Sequence, residues 1–374
     1  MSILLFLGIV AISWLIILQL DRMGKLRAER HAVLLLFKTE RGKGFISWIA
    51  RPKRFWKVFG SIGIVVGILG MVLVVFFLVY ALYSTYVLNM PMEGAQPVIP
   101  GVTIPFWYGI IGLITVLVVH EFSHGIIARS EDVSIKKLGA VLVTIIPIGA
   151  FVEPDEEELK AKKRISRMRI YSAGSFGNIL FATFAIILML SFSGYFFDRS
   201  IVQIGDVVEC SPAEGTLEKG MVLEEIDGRP ISGAEDFREA TKDIKPDTDV
   251  TIKTDKGRFM IKASERPDNP ERGYIGIWPA HPLNEGLPEY IYSSLFWIAL
   301  LNQGIGLINL APLHLGIAAT DGHHILKEIL SKFGIKDTER ATLAISSAVL
   351  MVLLFSLLGP SPDPAMAMGC KNGA

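Results

Sequence analysis

Val118-Val119-His120-Glu121-Phe122-Ser123-His124-Gly125 lies inside an apolar run from about Phe106 to Ala128. Two histidines four residues apart fall on one face of a helix, one turn from each other. Neutral imidazoles placed that way can both ligate one zinc ion. The glutamate between them projects close to the same face, where a carboxylate can act as base toward water. His, Glu and His are costly within a membrane span and usually mark function there.

The 374-residue chain has a mean hydropathy of +0.45 and 51% hydrophobic residues, which predicts a polytopic α-helical membrane protein. Several apolar runs are long enough to cross a bilayer. Formal net charge is zero, so no bulk attraction to nucleic acid is implied. Cys210 and Cys370 make no CxxC pattern, so cysteines are not expected as metal ligands.

Outward from the motif, the charges set the topology. Residues 1–20 read as a first transmembrane helix, entered from outside because basic residues follow the apolar run. Residues 21–57 carry eleven Lys and Arg against Asp21, Glu29 and Glu40, so they read as a basic cytoplasmic loop. Residues 58–87 form the second span. Residues 88–104 lack Lys and Arg and are expected outside. Residues 105–195 read as a membrane core holding the motif helix, a β segment and a fourth span. His120 then lies roughly 14 Å from the cytoplasmic end of its helix. Gly139–Val152 is too short and too interrupted by Pro147 and Gly149 for a spanning helix, and suits a re-entrant or interfacial strand pair. Its edge could hold an extended peptide by strand addition.

The fourth span, Ile170 to about Tyr195, begins Ser172-Ala173-Gly174-Ser175-Phe176-Gly177-Asn178. Small residues there allow close helix contact. Asn178 needs a polar partner: a neighbouring helix, the metal site or substrate. Residues 198–279 change to a soluble α/β pattern, with strands at Ile201–Val208, Met221–Ile226, Val250–Lys253 and Phe259–Ala263 and a helix at Ala234–Asp243. Span count puts this domain outside. Residues 286–358 hold a fifth span from Tyr290 to Pro312 and a sixth from Ala341 to Leu358. Between them stand Asn309-Leu310-Ala311-Pro312 and Asp321-Gly322-His323-His324. Pro312 should break the helix, leaving irregular backbone that membrane depth tolerates only where protein shields it or it lines a cavity. Six spans leave both termini outside, and residues 359–374 read as a disordered tail.

These motifs together resemble the site-2 protease family of intramembrane zinc metalloproteases. The resemblance rests on His120-Glu121-x-x-His124, Ala173-Gly174-x-x-x-Asn178, the α/β domain, and Asn309-x-x-Pro312 followed by Asp321-Gly322. It implies one Zn2+ per chain held by His120, His124 and Asp321, with Glu121 as catalytic base. It implies cleavage of membrane-anchored protein substrates within or near their transmembrane segments. The stretch from Pro312 to Asp321 is longer than is common in the family, and His323 stands where a second glycine is usual. His314, His323 and His324 therefore compete with Asp321 as third ligand. Residues 198–279 resemble a PDZ domain, with Tyr274-Ile275-Gly276-Ile277 as the loop expected to bind peptide ends. The alternative for that domain is a steric filter. Asn178 and Asn309 are the expected hydrogen-bonding partners of substrate backbone. Two other functions compete: a non-catalytic PDZ-bearing membrane scaffold or receptor, and a zinc transporter.

Overall fold

A computed structural model describes residues 3–25, 28–31, 34–88, 96–144, 146–266, 269–316 and 318–358. The expected tail, 359–374, lies outside the described residues. The described chain divides into two compact units, one of residues up to Leu188 together with Ser293 onward, the other Met189–Tyr292.

The chain begins with α1 (Ile3–Arg22), β1 (Glu29–His31), β2 (Leu34–Thr39), α2 (Lys43–Ile49), α3 (Lys53–Tyr86) and α4 (Phe106–Ser130). It continues with β3 (Ile135–Val143), β4 (Ile146–Pro154), α5 (Glu156–Ala161) and α6 (Arg164–Ser191). The Met189–Tyr292 unit then holds α7 (Ser193–Phe196), β5 (Gln203–Val207), β6 (Leu223–Ile226), β7 (Arg229–Pro230), α8 (Ala234–Thr241), β8 (Asp249–Thr254) and β9 (Gly257–Lys262). It ends with β10 (Ser264–Arg266), β11 (Asn269–Tyr274) and β12 (Ile277–Ala280). Three helices follow: α9 (Leu287–Ile308), α10 (Asp321–Lys332) and α11 (Thr338–Leu358).

Among the described residues, five helices are long and apolar enough to cross a membrane: α3, α4, α6, α9 and α11. The chain is a polytopic helical membrane protein. Pro52 and Pro105 stand at the N-caps of α3 and α4, where a missing N–H costs no intrahelical bond. A row of small residues on α3 sets its packing. A methyl group added at Gly63 would lie 3.1 Å from the Phe176 ring, and one at Gly70 would lie 2.5 Å from Leu310 Cδ1. Close backbone approach of this kind replaces the hydrophobic drive that lipid cannot supply.

Two departures from the sequence reading bear on the site. The basic 21–57 block is more than a loop. It contributes β1, β2 and α2, and β2 pairs with β3 in a four-stranded antiparallel sheet ordered β1-β2-β3-β4. The short apolar run ending in Phe37 is hidden among charges, so composition alone read it as loop. The strand pair expected at Gly139–Val152 is longer at both ends, and β4 forms one edge of the sheet.

The second departure is that α6 starts at Arg164 and ends at Ser191, not at Ile170 and Tyr195. Its charged first turns are held by partners from other helices. Arg167 donates from Nε and Nη2 to the two carboxylate oxygens of Glu328 on α10, each at 2.7 Å. Arg169 donates from Nη1 to the buried Glu131 at 2.8 Å. The Met189–Tyr292 unit has its own core, including Val202, Ile204, Leu223, Ile226, Val250, Ile252 and Ile261. Its sheets are β7-β6-β8-β9, β12-β5 and β10-β11.

The Arg167–Glu328 pair is mostly shielded from water, and removal of one partner leaves the other charge without compensation. Glu328→Ala is expected to cost about 3 kcal/mol, read as a lowered unfolding midpoint in detergent. An unchanged midpoint would contradict this role.

Candidate metal centre

The site is built where α4 crosses α6. On α4, His120 and His124 are one turn apart. On α6, Ile170, Gly174 and Asn178 recur at the same four-residue spacing. The two rows face each other in opposite directions. The Nδ1 of His124 lies 2.7 Å from the Ile170 carbonyl oxygen. The Nδ1 of His120 lies 3.3 Å from the Asn178 side-chain amide. Gly174 sits between them. A methyl group there would lie 2.4 Å from His124 Nε2 and 2.7 Å from His120 Nε2. Only glycine lets the two helices approach with both rings in place.

A carbonyl oxygen can only accept, so His124 Nδ1 carries a proton, and in the neutral ring Nε2 then keeps its lone pair. The two Nε2 atoms lie 3.1 Å apart. Asp321 completes the group: its Oδ1 is 3.2 Å from His124 Nε2 and its Oδ2 is 3.7 Å from His120 Nε2. One ligand atom from each of the three residues lies within 4.8 Å of the others. The donor set of two imidazole nitrogens and a carboxylate fits a zinc ion with a position left for water. The bond from His124 Nδ1 to a backbone carbonyl is the usual outer support of such a ligand.

The loop after α9 delivers Asp321. α9 ends at Ile308, four residues short of Pro312, where the sequence pattern places the end of the fifth span. Thr320 then clamps the irregular backbone: its Oγ1 donates to the Ala311 carbonyl at 2.6 Å and accepts from Leu313 N–H at 3.0 Å. Gly322 N–H donates to the Asn309 carbonyl at 2.9 Å. Asp321 is thereby the first residue of α10, at the helix end that favours negative charge. Ser175 of α6 holds it from the other side, with Oγ donating at 2.6 Å and the backbone N–H at 3.2 Å to Oδ2.

Glu121 accepts from the backbone N–H of Val152 at 2.8 Å, so it is tied to β4. That N–H points away from β3, and residues two apart in a strand share an orientation. Ala150 therefore also turns its backbone groups to the outer edge. A cavity of about 1030 Å³ opens beside this edge. His120, Glu121, His124, Gly149, Ala150, Val152, Asn309 and Asp321 line it.

The sequence-derived candidates separate here. His120, Glu121, His124, Asp321 and Asn309 share the cavity wall. Asn178 is fully buried and touches His120. Of the competing third ligands, His323 Nδ1 pairs with Ser346 Oγ at 2.9 Å, and His324 stacks on Tyr171 at 4.8 Å. His314 accepts from Gly316 N–H at 3.2 Å. None joins the His120, His124 and Asp321 group among the described residues. Tyr274, Ile275, Gly276 and Ile277 belong to the Met189–Tyr292 unit. There the carbonyls of Ile275 and Gly276 accept from Ala213 and Val208 N–H at 3.0 and 2.8 Å. The sequence reading did not single out Ser175, Ile170 or Val152. The first was detectable, since it adjoins Gly174 in the small-residue run. The other two act through backbone atoms, which residue type does not reveal.

The family model for peptidase family M50 matches residues 108–357. The chain belongs to peptidase family M50. This is the site-2 protease family expected from the motifs. Among relatives, an uncharacterized protein of Methanocaldococcus jannaschii is 35% identical over 63% of this chain and 61% of its own length. A membrane-bound transcription factor site-2 protease homolog of Arabidopsis thaliana is 25% identical over 56% of this chain and 42% of its own. A Clostridium perfringens protein named as a zinc metalloprotease candidate is 26% identical over 48% of this chain and 59% of its own. The matches thus span about half the length of these relatives.

Gly174→Ala is expected to abolish stoichiometric zinc loading, measured by atomic absorption on purified protein. Gly194→Ala, where an added methyl group meets nothing within 4 Å, is the control and should load fully. Full loading of the Gly174 variant would contradict the geometry described.

Proposed function

We propose that this protein is an intramembrane zinc metalloprotease that hydrolyses peptide bonds within or near transmembrane segments of membrane-anchored proteins. The observation that carries the reading is the convergence of His120, His124 and Asp321 beside Glu121 on one cavity wall. His120, His124 and Asp321 would hold the ion, which when bound would supply Lewis-acid polarisation of a peptide carbonyl and a lowered pKa for water.

The chain's own residues supply the rest. Glu121 takes a proton from the attacking water and passes it to the leaving amine. Its bond from Val152 N–H keeps the carboxylate at the end of the β4 edge. A substrate helix must unwind before its amide can be attacked, and its freed backbone groups then need partners. The β4 edge at Ala150 offers them by strand addition. Asn309 on the cavity wall is a further hydrogen-bonding group for the extended substrate.

The finer topology belongs to the same reading. Six spans, counting α1, put the termini and the Met189–Tyr292 unit outside, with the metal centre nearer the cytoplasm. That unit acts as a PDZ-like domain that selects substrates, through Tyr274–Ile277 or by steric exclusion. Neither a zinc transporter nor a scaffold requires a glutamate tied to a sheet edge beside the ligands.

Purified protein incubated with a model transmembrane substrate should cleave it, and a zinc chelator should stop the reaction. Glu121→Gln should keep zinc and lose at least about 10²-fold in rate. Cleavage at the parent rate by the Glu121→Gln variant would reject the mechanism.

A further inference from the structure

We infer that Asn178 is a positioning residue for His120, its side-chain carbonyl accepting a hydrogen bond from the ring after a half-turn of the amide. The inference rests on the metal-centre reading above.

His120 turns Nε2 toward His124 Nε2 at 3.1 Å and toward Asp321 Oδ2 at 3.7 Å. For Nε2 to serve as a ligand it must hold a lone pair. A neutral imidazole carries one proton, which then resides on Nδ1. Nδ1–H is therefore a donor and needs an acceptor. The atom 3.3 Å away is placed as Asn178 Nδ2, which is also a donor. Two donors face each other, while Asn178 Oδ1 is buried with no partner among the described residues.

Amide oxygen and nitrogen exchange places on a half-turn about the last side-chain bond, with almost no change in shape. After that turn, Oδ1 accepts from His120 Nδ1–H. The unpartnered end becomes the amide nitrogen, and the donor–donor contact becomes a bond. Both ligand histidines are then supported alike from α6. Ile170 supplies a carbonyl for His124, and Asn178 supplies one for His120, eight residues further on. This support fixes the ring and the nitrogen that faces the ion.

Replacement by aspartate distinguishes the two orientations. Its carboxylate accepts at the same place and cannot donate. Zinc affinity is measured by competition with a chromophoric chelator, on full-length protein in detergent. The parent should bind one zinc per chain. Asn178→Ala should bind about 10- to 100-fold more weakly. Asn178→Leu, which keeps the volume and removes the acceptor, should lose a similar factor and covers failure of the alanine variant to fold. Asn178→Asp should hold zinc at least as tightly as the parent, and with Co2+ in place of zinc it should give the parent's visible spectrum. If aspartate weakens binding as much as alanine, or if alanine and leucine leave affinity unchanged, the inference falls and the metal centre stands. A parent protein that binds no zinc would remove the metal-centre reading itself, and this inference with it.

Discussion

Polar groups buried among apolar helices are stable only when each finds a partner. The contact of α4 with α6 satisfies that condition for two imidazoles at once. The four-residue spacing of His120 and His124 matches that of Ile170, Gly174 and Asn178 on the opposing helix. Gly174 sets the distance, because any side chain there would collide with both rings. The rest of the fold serves to hold Asp321, the candidate third ligand, and Glu121, the candidate base, against that crossing.

Asp321, the candidate third ligand, arrives from far along the chain, and several ties fix it. Ser175 binds Asp321 directly. Thr320 and the Asn309 carbonyl shape the loop that ends in α10. Two turns further along α10, Arg167 grips Glu328 with both arms of its guanidinium. Asp321 and Glu328 thus pin one helix to α6 at two points, two turns apart on the same face. A similar economy applies to Glu121. Its partner is an edge N–H of β4, so the candidate base and the candidate peptide-binding edge form one piece of structure. Burial of Ile46, Leu138 and Val152 together seats the sheet on α4.

Much of this was legible in the sequence. His120-Glu121-x-x-His124 in an apolar run marked the candidate site helix, and the family resemblance offered Asp321 of Asp321-Gly322 as third ligand beside three rival histidines. The geometry favours Asp321 over His314, His323 and His324, which residue type alone left open. The sheet was only half legible. Gly139–Val152 announced itself by length and by its proline and glycine, whereas β2 did not. Its short apolar run becomes a strand only because β3 lies beside it. The start of α6 was hidden for the opposite reason. Arg164, Arg167 and Arg169 precede the apolar run that set the expected start at Ile170, and tertiary partners keep them helical. Partners such as Ile170 and Val152 act through the backbone, to which sequence patterns are blind.

The central claim is that one ion is held by two imidazoles and one carboxylate drawn from α4 and α10. X-ray absorption at the zinc edge, on the purified loaded protein, tests it most directly. The account predicts an inner shell of nitrogen and oxygen only, at about 2.0–2.2 Å, with the outer-shell signature of two imidazoles. A third imidazole in that signature, or sulfur at about 2.3 Å, would contradict it.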